Sequence, residues 1–206
     1  MKDPIAHSFS IDPAVFKDDD GSYYMYFGGI WGGQLQRWRT GIFNSNQPDS
    51  PTAFLPKDDE PALLPYVAKM SDDLLEFAEK PKEVMIVDEN GNLLLSGDND
   101  RRFFEAAWLH KYKGKYYFSY STGDTHFICY AIGETPYGPF TYKGRILNPV
   151  VGWTSHHSIC EFKGKWYLFY HDSSLSKGVT HLRSVKIAEI KYNEDGTIPV
   201  SYTHLR

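Results

Sequence analysis

RRFFEAAWLHKYKGKYYFSYSTGDT, at residues 101–125, carries the pattern of a β-hairpin. A short apolar run is followed by a Lys-Gly-Lys turn at residues 113–115 and then by an aromatic run from Tyr116 to Tyr120. A glycine with polar neighbours between two runs of strand-forming residues is typical of a tight hairpin turn. The stretch therefore predicts two antiparallel strands that meet at Gly114.

A single acidic residue, Glu105, opens this hairpin between two phenylalanines and an Ala-Ala-Trp run. Apolar surroundings disfavour the charged carboxylate and raise its pKa, which is how a general acid keeps its proton near neutral pH. The structural alternative is a buried carboxylate paired with Arg101 or Arg102, because structural ion pairs also perturb pKa values. Glu105 is thus a candidate general acid, with an ion pair as the competing interpretation.

Two other segments share the plan of this hairpin. They are SIDPAVFKDDDGSYYMYFGG at residues 10–29 and TSHHSICEFKGKWYLFYHDSS at residues 154–174. Each begins with a polar residue, passes through a short apolar run, turns at a glycine and returns in an aromatic run. Such an internal repeat indicates a fold built from similar units.

Corresponding places of the repeat carry Asp12, Glu105 and His156. Asp12 and Glu105 each stand nine residues before the turn glycine, whereas His156 stands eight residues before its own. We interpret this difference as one fewer turn residue in the third hairpin.

Further strand and turn signals follow the second and third hairpins, at residues 126–147 and 180–200. Sheets of about four strands, repeated every 40–60 residues or so, are typical of β-propeller blades. The sequence therefore predicts an all-β chain of four-stranded antiparallel blades. The innermost strands of a propeller line its axis, so Asp12, Glu105 and His156 would face one cavity. Two converging carboxylates are what the cleavage of a glycosidic bond requires.

Charge and hydropathy limit the classes of binding partner that the sequence predicts. With 22 basic and 26 acidic residues, the net charge of −4 gives no reason to expect a nucleic acid. No apolar run approaches the ~18 residues of a membrane span, so no membrane partner is predicted. Cys129 and Cys160 lie in apolar strand patterns and are interpreted as small core residues rather than a disulfide.

The connection after the first hairpin is irregular. It includes a Pro/Asp-rich part, which we interpret as an insertion on one face of the blade. Ser71–Glu79 could begin a helix, but a hairpin connection is preferred by analogy with the second unit. The run Asp18–Gly21 lacks the alternating ligands of a calcium loop and is interpreted as a solvated turn.

SIDPAVFKDDDGSYYMYFG, FFEAAWLHKYKGKYYFSYS and SHHSICEFKGKWYLFYH resemble motifs of glycoside hydrolase family 43 in their order and spacing. This family contains β-xylosidases, α-L-arabinofuranosidases and arabinanases on a five-bladed β-propeller. The resemblance runs from residue 10 to about 200, so residues 1–200 are interpreted as about the last three blades of such a domain. Residues 201–206 depart from it and are interpreted as a tail outside the family, either artefactual or a connection to a later segment.

The resemblance implies an inverting hydrolase acting on β-xylosides or α-L-arabinofuranosides of plant hemicellulose, with xylan, arabinoxylan or arabinan fragments as partners. The family's general acid falls on Glu105, and the aspartate that tunes its pKa falls on Asp12. The general base has no counterpart here. Asp3 stands only nine residues before Asp12, whereas the family separates these two positions by about two blades. This chain alone is therefore expected to be inactive. A non-catalytic sugar-binding propeller is the alternative.

The same resemblance implies roles for several other residues. Arg183 matches an arginine of the last blade that reaches the sugar, with a surface salt bridge as the alternative. His156 matches an axial histidine that in some members lies near a calcium ion, with a core histidine as the alternative. Four aromatic residues could be either sugar-stacking walls or core, namely Trp31, Phe104, Trp108 and Trp153.

The resemblance also bears on cofactors and export. It implies no required cofactor and leaves room for a structural Ca²⁺ ion on the propeller axis. A periplasmic or secreted location is expected rather than a cytoplasmic one.

Overall fold

Three β-sheets, each built around one hairpin of the repeat, follow one another along the chain. The computed structural model describes residues 11–46, 50, 52–153 and 156–201. The first sheet has the order β1-β2-β3-β4, with strands Ala14–Lys17, Tyr23–Phe27, Tyr66–Lys69 and Lys82–Glu83. Short 3₁₀ helices lie at Trp31–Gly33, Leu35–Trp38 and Gly123–Thr125.

The central and third sheets contain the remaining strands. The central sheet has the order β5-β9-β8-β7-β6, with strands Ile86–Val87 (β5), Glu105–Tyr112 (β6), Lys115–Ser121 (β7), Ile128–Gly133 (β8) and Phe140–Leu147 (β9). The third sheet has the order β10-β11-β12, with strands His157–Phe162, Lys165–Asp172 and Ser184–Ile190. The all-β prediction is confirmed.

The number of strands per sheet departs from the prediction in two sheets. The first sheet has four antiparallel strands as expected, but β5 adds a fifth, parallel strand to the central sheet through Ile86 and Phe140. Ile86 is buried there, because the chain leaving β4 runs directly along the outer edge of β9. In the described part of the third sheet there are three strands. The chain beyond β12 instead returns to the central sheet, where Ser201 bridges Leu147.

The central sheet is buried on both faces. Side chains alternate along a strand, so Phe118 and Tyr120 pack against the first sheet while Tyr117 packs against the third. Six of the seven residues of β7 are buried, which explains why its sequence is aromatic without alternation. Truncating a fully buried ring such as Phe118 to Ala would cost about 3–5 kcal/mol. The central sheet therefore holds the other two in place.

The hairpin turns correct the interpretation of the repeat spacing. The second and third hairpins have the same two-residue turn, Lys113-Gly114 and Lys163-Gly164, with positive φ at both residues. This is the turn that matches the twist of a hairpin. The extra residue of the second unit lies instead in a β-bulge between Glu105 and Trp108. The interpretation of one fewer turn residue in the third hairpin was therefore wrong.

The turn of the first hairpin fastens the first sheet to the central one. Asp18 is buried, and its two carboxylate oxygens lie 2.7 Å from Lys111 Nζ and 2.6 Å from the Tyr116 hydroxyl. Lys111 also pairs with Asp19 at 2.8 Å. The prediction of a hairpin turn is confirmed. The prediction that the turn is solvated was wrong for Asp18, because this residue packs against the central sheet.

Two further predictions can be checked. Both cysteines are free, as expected, but only Cys129 is buried. Cys160 is exposed because Ile159, its neighbour on β10, takes the face that packs on the central sheet. The preferred hairpin connection after β3 is confirmed, since the Ser71 N–H donates to the Glu76 carbonyl at 2.9 Å. Within the described residues, no helix has the length and apolar character needed to cross a membrane.

His110 is a buried histidine between the central and third sheets. Its Nε2 lies 2.7 Å from the Tyr192 hydroxyl, and burial lowers its pKa to about 3. An unfolded histidine titrates near 6.5, so below that pH the unfolded chain takes up a proton that the folded chain refuses. The free energy of unfolding should therefore fall as the pH drops from 6.5 toward 3.

We expect the variant His110→Phe to lose less stability on acidification than the wild type, by up to about 1.4 kcal/mol per pH unit in this window. Urea denaturation at pH 7, 6 and 5 measures both slopes. Because the loss of the Tyr192 contact lowers stability equally at each pH, the difference in slope isolates the proton. Parallel slopes would contradict a buried neutral His110.

Candidate active site

A β-bulge aims Glu105 away from the regular strand direction. Glu105 pairs with Ser121 and Trp108 pairs with Ser119, so Ala106 and Ala107 face a single residue of β7. Ala106 has φ of 61°, in the left-handed region that alanine seldom adopts. Bulges of this kind re-aim a side chain and increase the local twist. The bulge therefore decides where the carboxyl group of Glu105 points.

Asp12 joins the bulge from the first sheet. Its Oδ2 accepts a hydrogen bond from the main-chain N–H of Ala106 at 3.1 Å. Asp12 itself has φ of 59°, a conformation that aspartate adopts more readily than most residues. The structure thus brings two of the three corresponding residues of the repeat together, Asp12 beside Glu105.

His156 is the third corresponding residue, and it also reaches Asp12. Its Nδ1 lies 3.5 Å from Asp12 Oδ1, and its side chain is 44% exposed, so the alternative of a core histidine is not what the structure shows. The main-chain N–H of His156 donates to Nε2 of His171 at 3.1 Å. The sequence analysis missed His171, although the β10–β11 register, extended by one pair, would place it opposite His156.

The surroundings of Glu105 favour its protonated form. Burial raises its pKa, and the negative charge of Asp12 raises it further. His156 and Arg183 act in the opposite direction, and Asp124, which the sequence analysis did not single out, adds to the increase. The net direction is upward.

The competing ion-pair interpretation of Glu105 is wrong. Arg101 pairs with Asp98 at 2.6 Å, and the Arg102 guanidinium donates to the carbonyl of Ser96 at 2.9 Å. Within the described part of the chain, the Glu105 carboxyl group makes neither a hydrogen bond nor an ion pair. Partial burial without a paired cation disfavours the charged form of a carboxyl group and raises its pKa.

Arg183 lies on the exposed loop between β11 and β12. Its Nε donates to the carbonyl of Thr180 at 3.0 Å, and it forms no ion pair with any residue that the structure describes. The surface salt bridge considered as an alternative is therefore not present there. The loop is anchored by buried Asp172, whose carboxylate accepts from the Ser174 hydroxyl at 2.8 Å. Arg183 is close enough for its charge to act on Glu105.

The predicted aromatic walls divide into surface and core. Trp31 is partly exposed and meets the ring of Phe104 edge-on at 5.3 Å. Phe104 is buried, and a Cβ on Gly123 would lie 2.2 Å from its ring, so the glycine is needed for this close approach. Trp31 is thus the member of the pair that can meet a ligand, and Phe104 supports it.

The other two tryptophans differ from each other. Trp108 packs in the core between the central and third sheets and donates from Nε1 to the Ile159 carbonyl at 3.1 Å, so the core alternative is correct for it. Trp153 is 53% exposed and meets His126 edge-on at 5.4 Å. Trp153 therefore remains available as a stacking surface.

A structural calcium ion would need several oxygen ligands. Asp12 supplies a carboxylate beside His156, but no group of three or more His, Cys, Asp or Glu side chains suited to a metal occurs among the residues described. The calcium ion stays a prediction.

The sequence was compared with known proteins. The profile of the family described as "Glycosyl hydrolases family 43" matches residues 1–198. The chain belongs to this family. A curated relative from Bacteroides ovatus, named xylosidase/arabinosidase, is 60% identical over 95% of this chain and 58% of its own length. A relative from Humicola insolens, named xylosidase/arabinosidase 43A, is 61% identical over 95% of this chain and 60% of its own length.

Solved structures of the family match the fold as well. One is a family 43 β-xylosidase/α-arabinofuranosidase from a compost microbial metagenome, in complex with xylotriose and described as calcium-free. It is 67% identical, has a TM-score of 0.91 and is matched over 98% of this chain and 60% of its own. A family 43 enzyme from Xanthomonas citri complexed with xylotriose is 54% identical, with a TM-score of 0.91 over 99% of this chain and 60% of its own. This family 43 chain therefore spans about 60% of the length of these proteins.

The role of Asp12 can be tested by removing its charge alone. We expect Asp12→Asn to lower the pKa of Glu105, because the amide keeps an oxygen that can accept from the N–H of Ala106 but no longer repels an ionised carboxylate. A ¹³C NMR titration of the Glu105 carboxyl carbon measures the change. The control is Asp59→Asn at an exposed site. A Glu105 pKa that stays or rises in Asp12→Asn would contradict the assignment.

Proposed function

We propose that the whole protein is an inverting glycosidase that cleaves β-xylosides or α-L-arabinofuranosides of plant hemicellulose, with Glu105 as its general acid. One observation carries this proposal: a partly buried Glu105 that lies beside Asp12 and has no cation paired with it in the described residues. These surroundings raise the pKa of the carboxyl group, which is the direction that a general acid requires. In an inverting glycosidase, a group of this kind protonates the leaving oxygen.

Asp12 has two tasks in this proposal. As an anion close to Glu105, it disfavours a second negative charge and keeps the acid protonated before the reaction. Its Oδ1, which no main-chain donor occupies in the described residues, faces the imidazole of His156 and can accept from a sugar hydroxyl. Asp12 thus tunes the acid and orients the substrate.

Arg183, His156 and Trp31 would complete the sugar site from three directions. The guanidinium of Arg183 offers several N–H donors to ring hydroxyls, and its positive charge becomes more favourable to Glu105 once the proton has left. Trp31 offers an aromatic surface above the buried ring of Phe104. Together these groups hold the glycosidic oxygen next to the acid.

The general base has to lie elsewhere. An inverting enzyme places a second carboxylate ~6.5–9.5 Å from the acid, on the far side of the sugar, where it activates water. The described carboxylate beside Glu105, that of Asp12, accepts the Ala106 N–H and is assigned to tuning the acid. We infer that the whole protein is a five-bladed propeller, of which these three sheets are a part, and that another blade supplies the base.

The names of the relatives support the substrate class. Those from Bacteroides ovatus and Humicola insolens carry both activities in their names, and one from Xylanibacter ruminicola, 58% identical, is named β-xylosidase. We favour xylosides over arabinofuranosides on that basis. Binding of xylo-oligosaccharides by the whole protein without release of reducing sugar would instead favour a non-catalytic sugar-binding propeller.

The acid assignment predicts a dependence on the leaving group. In the whole protein, Glu105→Gln should lower kcat on xylobiose by about 10²–10⁴-fold, because the sugar leaving group needs a proton. The loss should be far smaller on an aryl xyloside whose phenol departs unprotonated. Steady-state kinetics on both substrates measures this contrast.

The matched control for that experiment is Glu194→Gln, at an exposed site of this chain. It should leave both rates unchanged. Equal losses on the two substrates in Glu105→Gln would remove Glu105 from the role of acid, since a structural defect has no reason to depend on the leaving group.

The missing base gives a second prediction. The 206-residue chain by itself should release no phenol from aryl xylosides or arabinofuranosides above the buffer rate, because none of the carboxylates in its described residues is assigned to activating water. An absorbance assay at high protein concentration tests this. Release of phenol by the chain alone above the buffer rate, at the same level in Glu194→Gln, would show that the base lies within these residues.

A further inference from the structure

We propose that His171 is a positioning residue for the acid site: through the main chain of His156, it holds the imidazole of His156 beside Asp12. This inference rests on the proposed function, since it concerns the same site. It starts from a continuous chain of contacts through all three sheets. His171 accepts from the His156 N–H at 3.1 Å, His156 Nδ1 lies 3.5 Å from Asp12 Oδ1, and Asp12 Oδ2 accepts from the Ala106 N–H at 3.1 Å.

The first link replaces ordinary strand pairing. The ladder between β10 and β11 begins with the pair His157 and Tyr170, and His156 lies one residue outside it. At this place the N–H of His156 is directed to a side-chain nitrogen. The direction of the His156 backbone therefore depends on the identity of residue 171, whereas a main-chain partner would be the same for every residue type.

The acceptor needs an unprotonated Nε2 on His171. Burial, the charge of Arg183 and the charge of His156 lower the pKa of His171, and the charge of Asp172 acts in the other direction. The neutral imidazole then carries its proton on Nδ1 and accepts at Nε2. The surroundings of His171 thus favour its neutral imidazole, and the tautomer with the proton on Nδ1 is the neutral form that can accept from the His156 N–H.

The second link connects His171 to the reaction. The charge of Asp12 raises the pKa of Glu105, and the charge of His156 lowers it. If the His156 N–H is released, the imidazole can swing out to solvent, since it is already 44% exposed. Asp12 would then act on Glu105 without its partially compensating neighbour. Loss of the His171 acceptor should therefore raise the pKa of Glu105.

The bond itself can be observed in the unmodified chain. An N–H···N hydrogen bond transmits a scalar coupling between its two nitrogen nuclei, so ¹⁵N-labelled protein should show a correlation from the His156 amide to Nε2 of His171. A long-range ¹H–¹⁵N spectrum should show His171 with its proton on Nδ1. Absence of the coupling in a well-folded sample, or a proton on Nε2, would overturn the proposal without any substitution.

Two variants at residue 171 then test the consequence. His171→Leu removes the acceptor, and we expect an upfield shift of the His156 amide proton and a higher Glu105 pKa in a ¹³C titration. His171→Gln places an amide oxygen near the former Nε2 and should keep both values close to the wild type, which a loss of packing alone would not explain. The control is His181→Leu, at an exposed site of the loop that follows β11.

The outcomes separate the two proposals. An unchanged Glu105 pKa in folded His171→Leu would overturn the positioning role and leave the glycosidase assignment intact. In the whole protein, the same variant should lower kcat on xylobiose by about tenfold and move the alkaline limb of the pH profile upward, while His171→Gln restores both. A whole protein without hydrolysis would refute the proposed function, yet the coupling and the Glu105 pKa would still decide the role of His171.

Discussion

The hydrogen bond from the main-chain N–H of Ala106 to Asp12 joins two strained backbone positions. Both residues have positive φ, and such conformations cost of the order of 1–3 kcal/mol each unless the surroundings compensate. Here the strain is compensated by the hydrogen bond itself, in which the N–H of Ala106 in the bulge donates to the carboxylate of Asp12. The same bond holds Asp12 next to the residue that follows Glu105, so the strained positions lie where the chemistry is proposed.

The rigidity behind this bond comes from the central sheet. Its two faces are buried against the neighbouring sheets, and the Asp18–Lys111 pair fastens the first hairpin to it. A carboxyl group placed on such a frame is partly removed from water and lies away from any paired cation in the described residues. That is why burial is the largest influence on the pKa of Glu105 and why the charge of Asp12 adds to it. The packing of the central sheet thus also sets the burial that raises the pKa of Glu105.

Much of this could be predicted from local pattern. The three hairpins, their glycine turns, the all-β class and the proximity of Asp12 to Glu105 follow from a repeat whose units fold in the same way. The pattern failed where two units contact each other. An extra residue in a turn and an extra residue in a bulge give the same spacing, so only the observed register at Glu105 separated them. Cys160 was misassigned for a related reason, because both faces of a strand can look apolar in sequence.

The sequence by itself determined which residues are candidates for the chemistry: one acid in an apolar run, and polar residues at the corresponding places of two other hairpins. Only the tertiary structure decided how they meet. It excluded Arg101 and Arg102 as partners of Glu105, assigned Trp108 to the core and brought His171 to the backbone of His156. The physical reason is that the two kinds of interaction differ in how far along the sequence they act. Strand and turn preferences act over a few neighbouring residues, whereas a carboxyl pKa depends on charges and burial from three sheets that are distant in sequence.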